Sequence, residues 1–153
     1  MKKYFLLYKI LLLSLPGVAQ LTIAPGTQLI TNGAVTITVN DLDMINNGTF
    51  SAGNSMVKFS GLIPNSVGGN SSLSFYQLEI AKNGSAALSL QSNIGINNSI
   101  NFTSGLIDLN QKTITLSTNA LLNNETETSR IIGPNGGEVV ISMSMNKPNN
   151  INA

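Results

Sequence analysis

The chain contains no cysteine, no histidine and no tryptophan, and only 10% of its 153 residues are charged. Without cysteine the fold cannot be cross-linked by disulfides, and without cysteine and histidine the common zinc sites and nucleophilic dyads are excluded. An average soluble protein is about a quarter charged. Polarity comes here from Asn, Ser and Thr, which favour turns and strands over helix interiors. The composition therefore predicts an all-β protein held by packing and backbone pairing.

The first residues predict a secretory signal peptide over residues 1–19. Two lysines precede a mainly apolar run, Tyr4 to Leu15, and Pro16 and small residues follow it. A membrane span needs about 20 predominantly apolar residues, and this run, interrupted by Lys9, is too short. We expect cleavage between Ala19 and Gln20, no membrane insertion afterwards, and a secreted or cell-surface location at the outer envelope.

Cleavage would change the net charge of the chain. Three of the eight basic residues lie in the signal peptide, so five basic and seven acidic residues remain, a net charge of −2 in place of +1. A weakly acidic domain with a single arginine has no basic surface for nucleic acid. We therefore expect no nucleic-acid partner.

Short triplets with two apolar residues flanking a central one recur every six or seven residues. The clearest run comprises Leu88-Ser89-Leu90, Ile94-Gly95-Ile96, Ile100-Asn101-Phe102, Ile107-Asp108-Leu109 and Ile114-Thr115-Leu116. An alternation of this kind places two side chains on one face of a strand. Asn and Gly residues between the triplets allow the chain to bend there.

Three triplets make a longer repeat of about 20 residues. The intervals between corresponding triplets, starting from Val35, Val57, Leu73, Leu78, Leu88 and Ile94, are 22, 21, 21, 22, 19 and 20 residues. One coil cannot bury enough surface to fold alone, so coils must stack. The repeat predicts a right-handed parallel β-helix, a three-sided solenoid of six or seven coils over residues 20–153.

An antiparallel β-sandwich is the alternative fold. Asn-Gly between apolar runs is a strong hairpin signal, so Leu29 to Val39 and Leu78 to Leu90 could each form a hairpin. Sandwich strands are usually longer and more widely spaced than these triplets. The spacing favours the solenoid.

Several segments, in this order, resemble a known family. They are Val57-Lys58-Phe59-Ser60-Gly61, Phe75-Tyr76-Gln77-Leu78-Glu79-Ile80, Ser104-Gly105-Leu106-Ile107-Asp108-Leu109, Lys112-Thr113-Ile114-Thr115-Leu116 and Arg130-Ile131-Ile132-Gly133-Pro134. Together they are similar to the repetitive β-solenoid region of large surface proteins exported by type IX secretion. The resemblance implies a passenger segment of a secreted or surface-attached protein.

Proteins of that kind usually continue past the Arg-Ile-Ile-Gly segment and end in a β-sandwich sorting domain. This sequence has no such domain, and Met145 to Ala153 offer no capping helix for an open last coil. We therefore expect an N-terminal fragment of a longer protein, whose further coils would be its neighbours.

Carboxylates are the remaining candidates for chemistry. Asp41 and Asp43 would share one face of an extended segment, as a calcium site or an acid–base pair requires, but a solvated corner after Asn40 is the simpler interpretation. Asp108 lies between residues that the pattern turns inward, Ile107 and Leu109, so it should point outward.

The remaining candidates lie in polar surroundings. Glu125 and Glu127 interrupt the repeat and indicate a surface insertion. Arg130 has only these two carboxylates near it in sequence, which does not match a calcium-dependent polysaccharide lyase. Tyr76 should face outward and could stack on a sugar ring, although a lone outward tyrosine usually reflects strand propensity.

The sequence thus assigns no catalytic, cofactor-binding or metal-binding residue. It predicts a non-enzymatic structural or adhesive β-solenoid segment, a stalk or display rod, with an extracellular glycan or matrix as candidate partner. The alternative is a fragment of a carbohydrate-active or glycan-binding β-helix protein.

Overall fold

The computed structural model describes residues 19–141. This part of the chain is all-β, with fifteen strands and no helix, so it contains no helix that could span a membrane. The predicted signal peptide, apart from Ala19, and the segment Met145 to Ala153 lie outside the described residues.

The strands follow one another around six successive coils. Coils 1 and 2 contain β1 (Gln20–Ile23), β2 (Gln28–Ile30), β3 (Thr36–Asn40), β4 (Asp43–Asn46), β5 (Thr49–Ser51) and β6 (Met56–Gly61). Coils 3 and 4 contain β7 (Asn65–Gly68), β8 (Leu73–Lys82), β9 (Ala87–Leu90) and β10 (Ile94–Ser104). Coils 5 and 6 contain β11 (Leu106–Asp108), β12 (Thr113–Leu116), β13 (Leu121–Asn123), β14 (Ile131–Ile132) and β15 (Glu138–Ile141).

Every pairing between these strands is parallel, and each joins one coil to the next. The first side of the solenoid is the sheet β1-β4-β7-β9-β11-β14. The long strands β8 and β10 bend around a corner and contribute to both other sides. The predicted parallel β-solenoid is confirmed, with about six turns of about 22 residues; the right-handed sense of the coil stays a prediction.

The alternative antiparallel sandwich is wrong. β2 pairs with β5 rather than with β3, and β9 pairs with β7 and β11 rather than with β8. The Asn-Gly pairs at 32–33 and 83–84 turn the chain from one side of the coil to the next, with Gly33 and Gly84 at φ +82° and +61°. The residues required for a tight hairpin serve equally at a solenoid corner, because both need a positive φ.

The predicted intervals match the register, with one exception. Leu78 pairs with Val57 and with Ile100, as their spacings of 21 and 22 residues predicted. The first interval is wrong, because Val57 pairs with Ile37 and leaves Val35 exposed. A shift of two residues preserves the alternation, so the pattern could not separate these two registers.

The inward side chains form columns that run through the coils. One column on the third side contains Val57, Leu78 and Ile100, each fully buried. Near it Phe75 packs edge-on against Phe59, with ring centroids 6.4 Å apart. Each column contributes apolar contacts above and below every coil, which is why single coils are unstable and the stack is stable.

Candidate functional site

Asp41 lies at the corner after β3 and connects coil 1 to coil 2. Its φ of +52° shows that the segment is not extended, and its Oδ1 accepts hydrogen bonds from the N–H groups of Leu62 (2.7 Å) and Ile63 (3.0 Å). The N–H of Ile63, with smaller contributions from that of Leu62 and from the Lys82 ammonium, lowers the pKa of Asp41 below 3.8, although desolvation opposes this. Asp41 is therefore a link between coils.

Lys82 ends β8 and is fully buried. Its Nζ donates to the carbonyl oxygen of Ser60 at 3.1 Å and lies 3.6 Å from Oδ1 of Asp41. Burial lowers the pKa of Lys82 below 10.5, while the negative charges of Asp41 and Asp43 oppose that shift. Lys82 thus joins coils 2 and 3 beside the Asp41 link.

Asp43 does not combine with Asp41 into a metal or acid–base pair. Its Oδ1 accepts the N–H of Ser66 at 2.6 Å, so this carboxylate also binds backbone of the following coil. Within residues 19–141 no group of three or more acidic side chains is placed to hold a metal ion. The expectation of a freely solvated corner is wrong as well, since backbone donors occupy one oxygen of each carboxylate.

Outward charged and polar side chains link coils on the third side in the same way. Lys58 donates to Glu79 at 2.9 Å, and Thr103 donates to the same carboxylate oxygen at 3.0 Å. The amide of Asn123 donates to the amide oxygen of Asn101 at 2.7 Å. The predicted ladder of Asn side chains is therefore present here, along a strand position rather than a corner.

Asp108 and Tyr76 lie where the alternation predicted. Asp108 is half-buried between the buried side chains of Ile107 and Leu109, and its Oδ1 accepts the N–H of Asn110 at 3.0 Å. Tyr76 is half-exposed at the corner of β8. Neither residue belongs to a cluster of reactive groups.

The insertion predicted around Glu125 and Glu127 forms one wall of the main groove. Residues 124–130 leave the coil after β13, turn through a bridge between Thr126 and Ser129, and return at β14. Ser129 is buried there and donates to the carbonyl oxygen of Gly105 at 3.1 Å. This bond anchors the loop on the preceding corner.

The insertion groove has a volume of about 900 Å³ and extends over three coils. Apolar atoms of Phe102, Leu106 and Ile132 contribute to its lining, together with hydroxyl side chains such as Thr103 and Thr128. Its charged lining residues are Glu127 and Arg130. This volume is in the range of small-ligand sites.

The charges of the groove limit its chemistry. Glu127 is its only carboxylate among the described residues, because Glu125 lines a separate, smaller cleft on the other side of the loop. Glycoside hydrolysis ordinarily needs two carboxylates flanking the bond. The groove therefore has the apolar surface and hydroxyl groups of a binding site rather than an acid–base pair.

Comparisons with family models, with curated proteins and with solved structures find no match to this chain.

Sequence reasoning missed the buried polar residues. Lys82 shares the inward phase of Leu78 and Ile80 along β8, and Asn65 shares that of Val67 along β7. The phase of the alternation could have identified both, but a polar residue at such a position is expected outside. Asn65 donates to the carbonyl oxygen of Leu42, while its own Oδ1 has no partner among the described residues.

Proposed function

We propose that this chain is a non-enzymatic structural segment, a stalk or display rod of a secreted or surface-attached protein. The observation that carries the proposal is the use of its polar groups. Asp41, Asp43, Glu79 and Lys82 all bind a neighbouring coil, so the side chains most suited to chemistry are engaged in holding the stack together.

Export supports this role and is part of the proposal. The basic and apolar start of the sequence, with small residues up to Ala19, has the order of a signal peptide. The ordered segments shared with passenger regions of type IX secretion agree with a surface location. Fractionation of the producing cell should recover the protein outside the cytoplasm, with Gln20 as its first residue by N-terminal sequencing.

The absence of enzymatic activity can be tested on polysaccharides. The purified chain is incubated with cell-wall and matrix polysaccharides, and new reducing ends and unsaturated uronic acid products are measured. We expect no product above buffer. Hydrolysis that disappears in Glu127→Gln, but persists in the neighbouring Glu125→Gln, would overturn the proposal and identify the insertion groove as an active site.

Glycan binding in the insertion groove is a second candidate function. A pyranose ring has apolar C–H faces and hydroxyl edges, which suit a groove that combines apolar surface with threonine and serine hydroxyls. On a glycan array, Arg130→Ala and Thr128→Val should weaken binding in the groove. Tyr76→Ala serves as the control, because Tyr76 lies outside the groove; loss of binding in that variant alone would place the glycan at Tyr76.

A further inference from the structure

The core is uncovered at the C-terminal end of the described solenoid. Leu122, Val139 and Ile141 are the last members of inward columns, and they are 37%, 37% and 54% exposed. The residues one coil earlier in these columns are at most 2% exposed. β13, β14 and β15 also form the outer edges of their sheets, so their backbone groups on that side face no described strand.

The N-terminal end presents the complementary edges. β1, β2 and β3 are the first strands of the three sides, and each pairs only with the following coil among the described residues. Leu29 and Ile37 pack partly against the core at inward positions of this first coil. The two ends therefore expose the same three sides and matching columns of apolar side chains.

Neither end carries the charges that usually keep sheet edges apart. Residues 19–40 include no Lys, Arg, Asp or Glu. In the last strands, β13 to β15, the only charged residue is Glu138, whose carboxylate accepts a hydrogen bond from Thr113 of the preceding coil at 3.3 Å. Edge strands that must stay unpaired are commonly protected by charged side chains, lysine above all, or by proline.

Strand direction decides which ends can join. All internal pairings are parallel, so placing the N-terminal end of one chain on the C-terminal end of another continues the internal contact, with β1 on β14, β2 on β15 and β3 on β13. Two like ends related by a two-fold axis would instead pair antiparallel strands. The head-to-tail contact is heterologous, and it does not close into a ring unless the axis bends.

We propose that a second copy of this chain stacks head to tail on the solenoid and extends it into a longer rod. The inference builds on the proposed structural function by naming a partner for its two ends. Each contact buries the exposed columns and pairs the free backbone groups of three strands.

The test measures the mass of the purified chain by sedimentation velocity over a wide range of concentration. The mass should rise from that of one chain to that of two or more. Ile141→Lys blocks the C-terminal end and Leu29→Lys the N-terminal end, so each variant alone should remain a single chain. The matched controls are the adjacent, outward-facing positions Val140→Lys and Ile30→Lys, which should assemble like the unaltered chain.

Mixing the two blocked variants gives the sharpest outcome. Ile141→Lys retains a free N-terminal end and Leu29→Lys a free C-terminal end, so an equimolar mixture should form dimers of one copy of each and nothing larger. A single-chain mass at every concentration for the unaltered protein would overturn the inference, as when residues outside 19–141 cover an end. Dimers of a blocked variant alone would overturn it too, because they require like ends to join. Neither result bears on the polysaccharide test.

Discussion

At the scale of single residues, Asp41 and Lys82 have unequal roles although they form one ion pair. The Asp41 carboxylate is partly exposed and binds two backbone N–H groups, whereas Lys82 is fully buried and its hydrogen bond is to the Ser60 carbonyl. That carbonyl also accepts the N–H of Asp41 at 3.0 Å. Removing the lysine therefore leaves no group without a partner, while removing the carboxylate leaves a buried cation.

We predict an asymmetry between two substitutions. Asp41→Asn should lower the melting temperature at pH 7, because Lys82 loses its counter-charge and the Leu62 and Ile63 amides lose a charged acceptor. Lys82→Met should be tolerated, since an apolar chain of similar length fills the same space. Thermal unfolding followed by circular dichroism measures both. Equal loss in the two variants would contradict the unequal roles.

The effect of Asp41→Asn should also depend on pH. The pKa of Asp41 is lowered below 3.8 in the folded chain, so the unfolded chain takes up the proton first as the pH falls. The stabilisation by Asp41 is thus present above pH 3.8 and is lost as the pH falls through the folded pKa. The difference in melting temperature between the unaltered chain and Asp41→Asn should shrink between pH 5 and pH 2; a constant difference would contradict this account.

At the scale of a strand, the alternation of inward and outward positions decides the effect of a charge. Leu109 follows β11 and is 6% exposed, packed beneath the turn that contains Gly133 and Gly137. Asp108, one residue earlier, is half-buried and closes a turn with Asn110. Neighbouring residues of one segment therefore lie in opposite environments.

Leu109→Asp should cost about 4 kcal/mol or more of unfolding free energy, because it places an unpaired charge in the core. Asp108→Asn should change that free energy by less than about 0.5 kcal/mol, since the Asn amide oxygen can accept the same hydrogen bond. Urea unfolding of the two variants measures the contrast. Equal tolerance would show that the inward and outward assignment at β11 is wrong.

The same alternation explains how much of the architecture could be predicted. Triplets with two apolar residues, such as Leu88-Ser89-Leu90, identified their strands and their partners in the next coil. β7 was missed because Asn65, Ser66 and Gly68 leave Val67 as its only large apolar residue. Its pairing depends on strands from the coils on both sides, and a local pattern carries no record of that support.

The insertion groove shows a different limit. The interruption of the repeat at Glu125 and Glu127 was visible in the sequence, and the loop is exposed as predicted. The groove itself also needs Phe102 and Leu106 of the preceding coil, which are brought to the loop only by stacking. Sites made between coils cannot be derived from a repeat that describes one coil at a time.

At the scale of the whole molecule, stability should vary along the stack. Coils 3 and 4 have a described coil on both sides, whereas coils 1 and 6 have one on a single side. In a stack of repeats the terminal units lose half of their neighbour contacts and open more often.

Amide hydrogen exchange should therefore be slowest in β8 and β10 and fastest in β2 and β15. The measurement is exchange followed by mass spectrometry at the level of single strands, on dilute protein so that association between chains is minimal. Uniform protection in all strands would indicate that the stack opens only as a single unit.

The parallel pairing also determines how the protein would respond to mechanical force. The backbone hydrogen bonds between coils point along the axis of the solenoid, so a pull on the two chain ends loads them one coil at a time instead of shearing them together. Each coil of about 22 residues would then release roughly 75 Å of slack chain as it peels away. A stalk built in this way would act as a shock absorber, lengthening in steps under tension while the remaining coils stay folded.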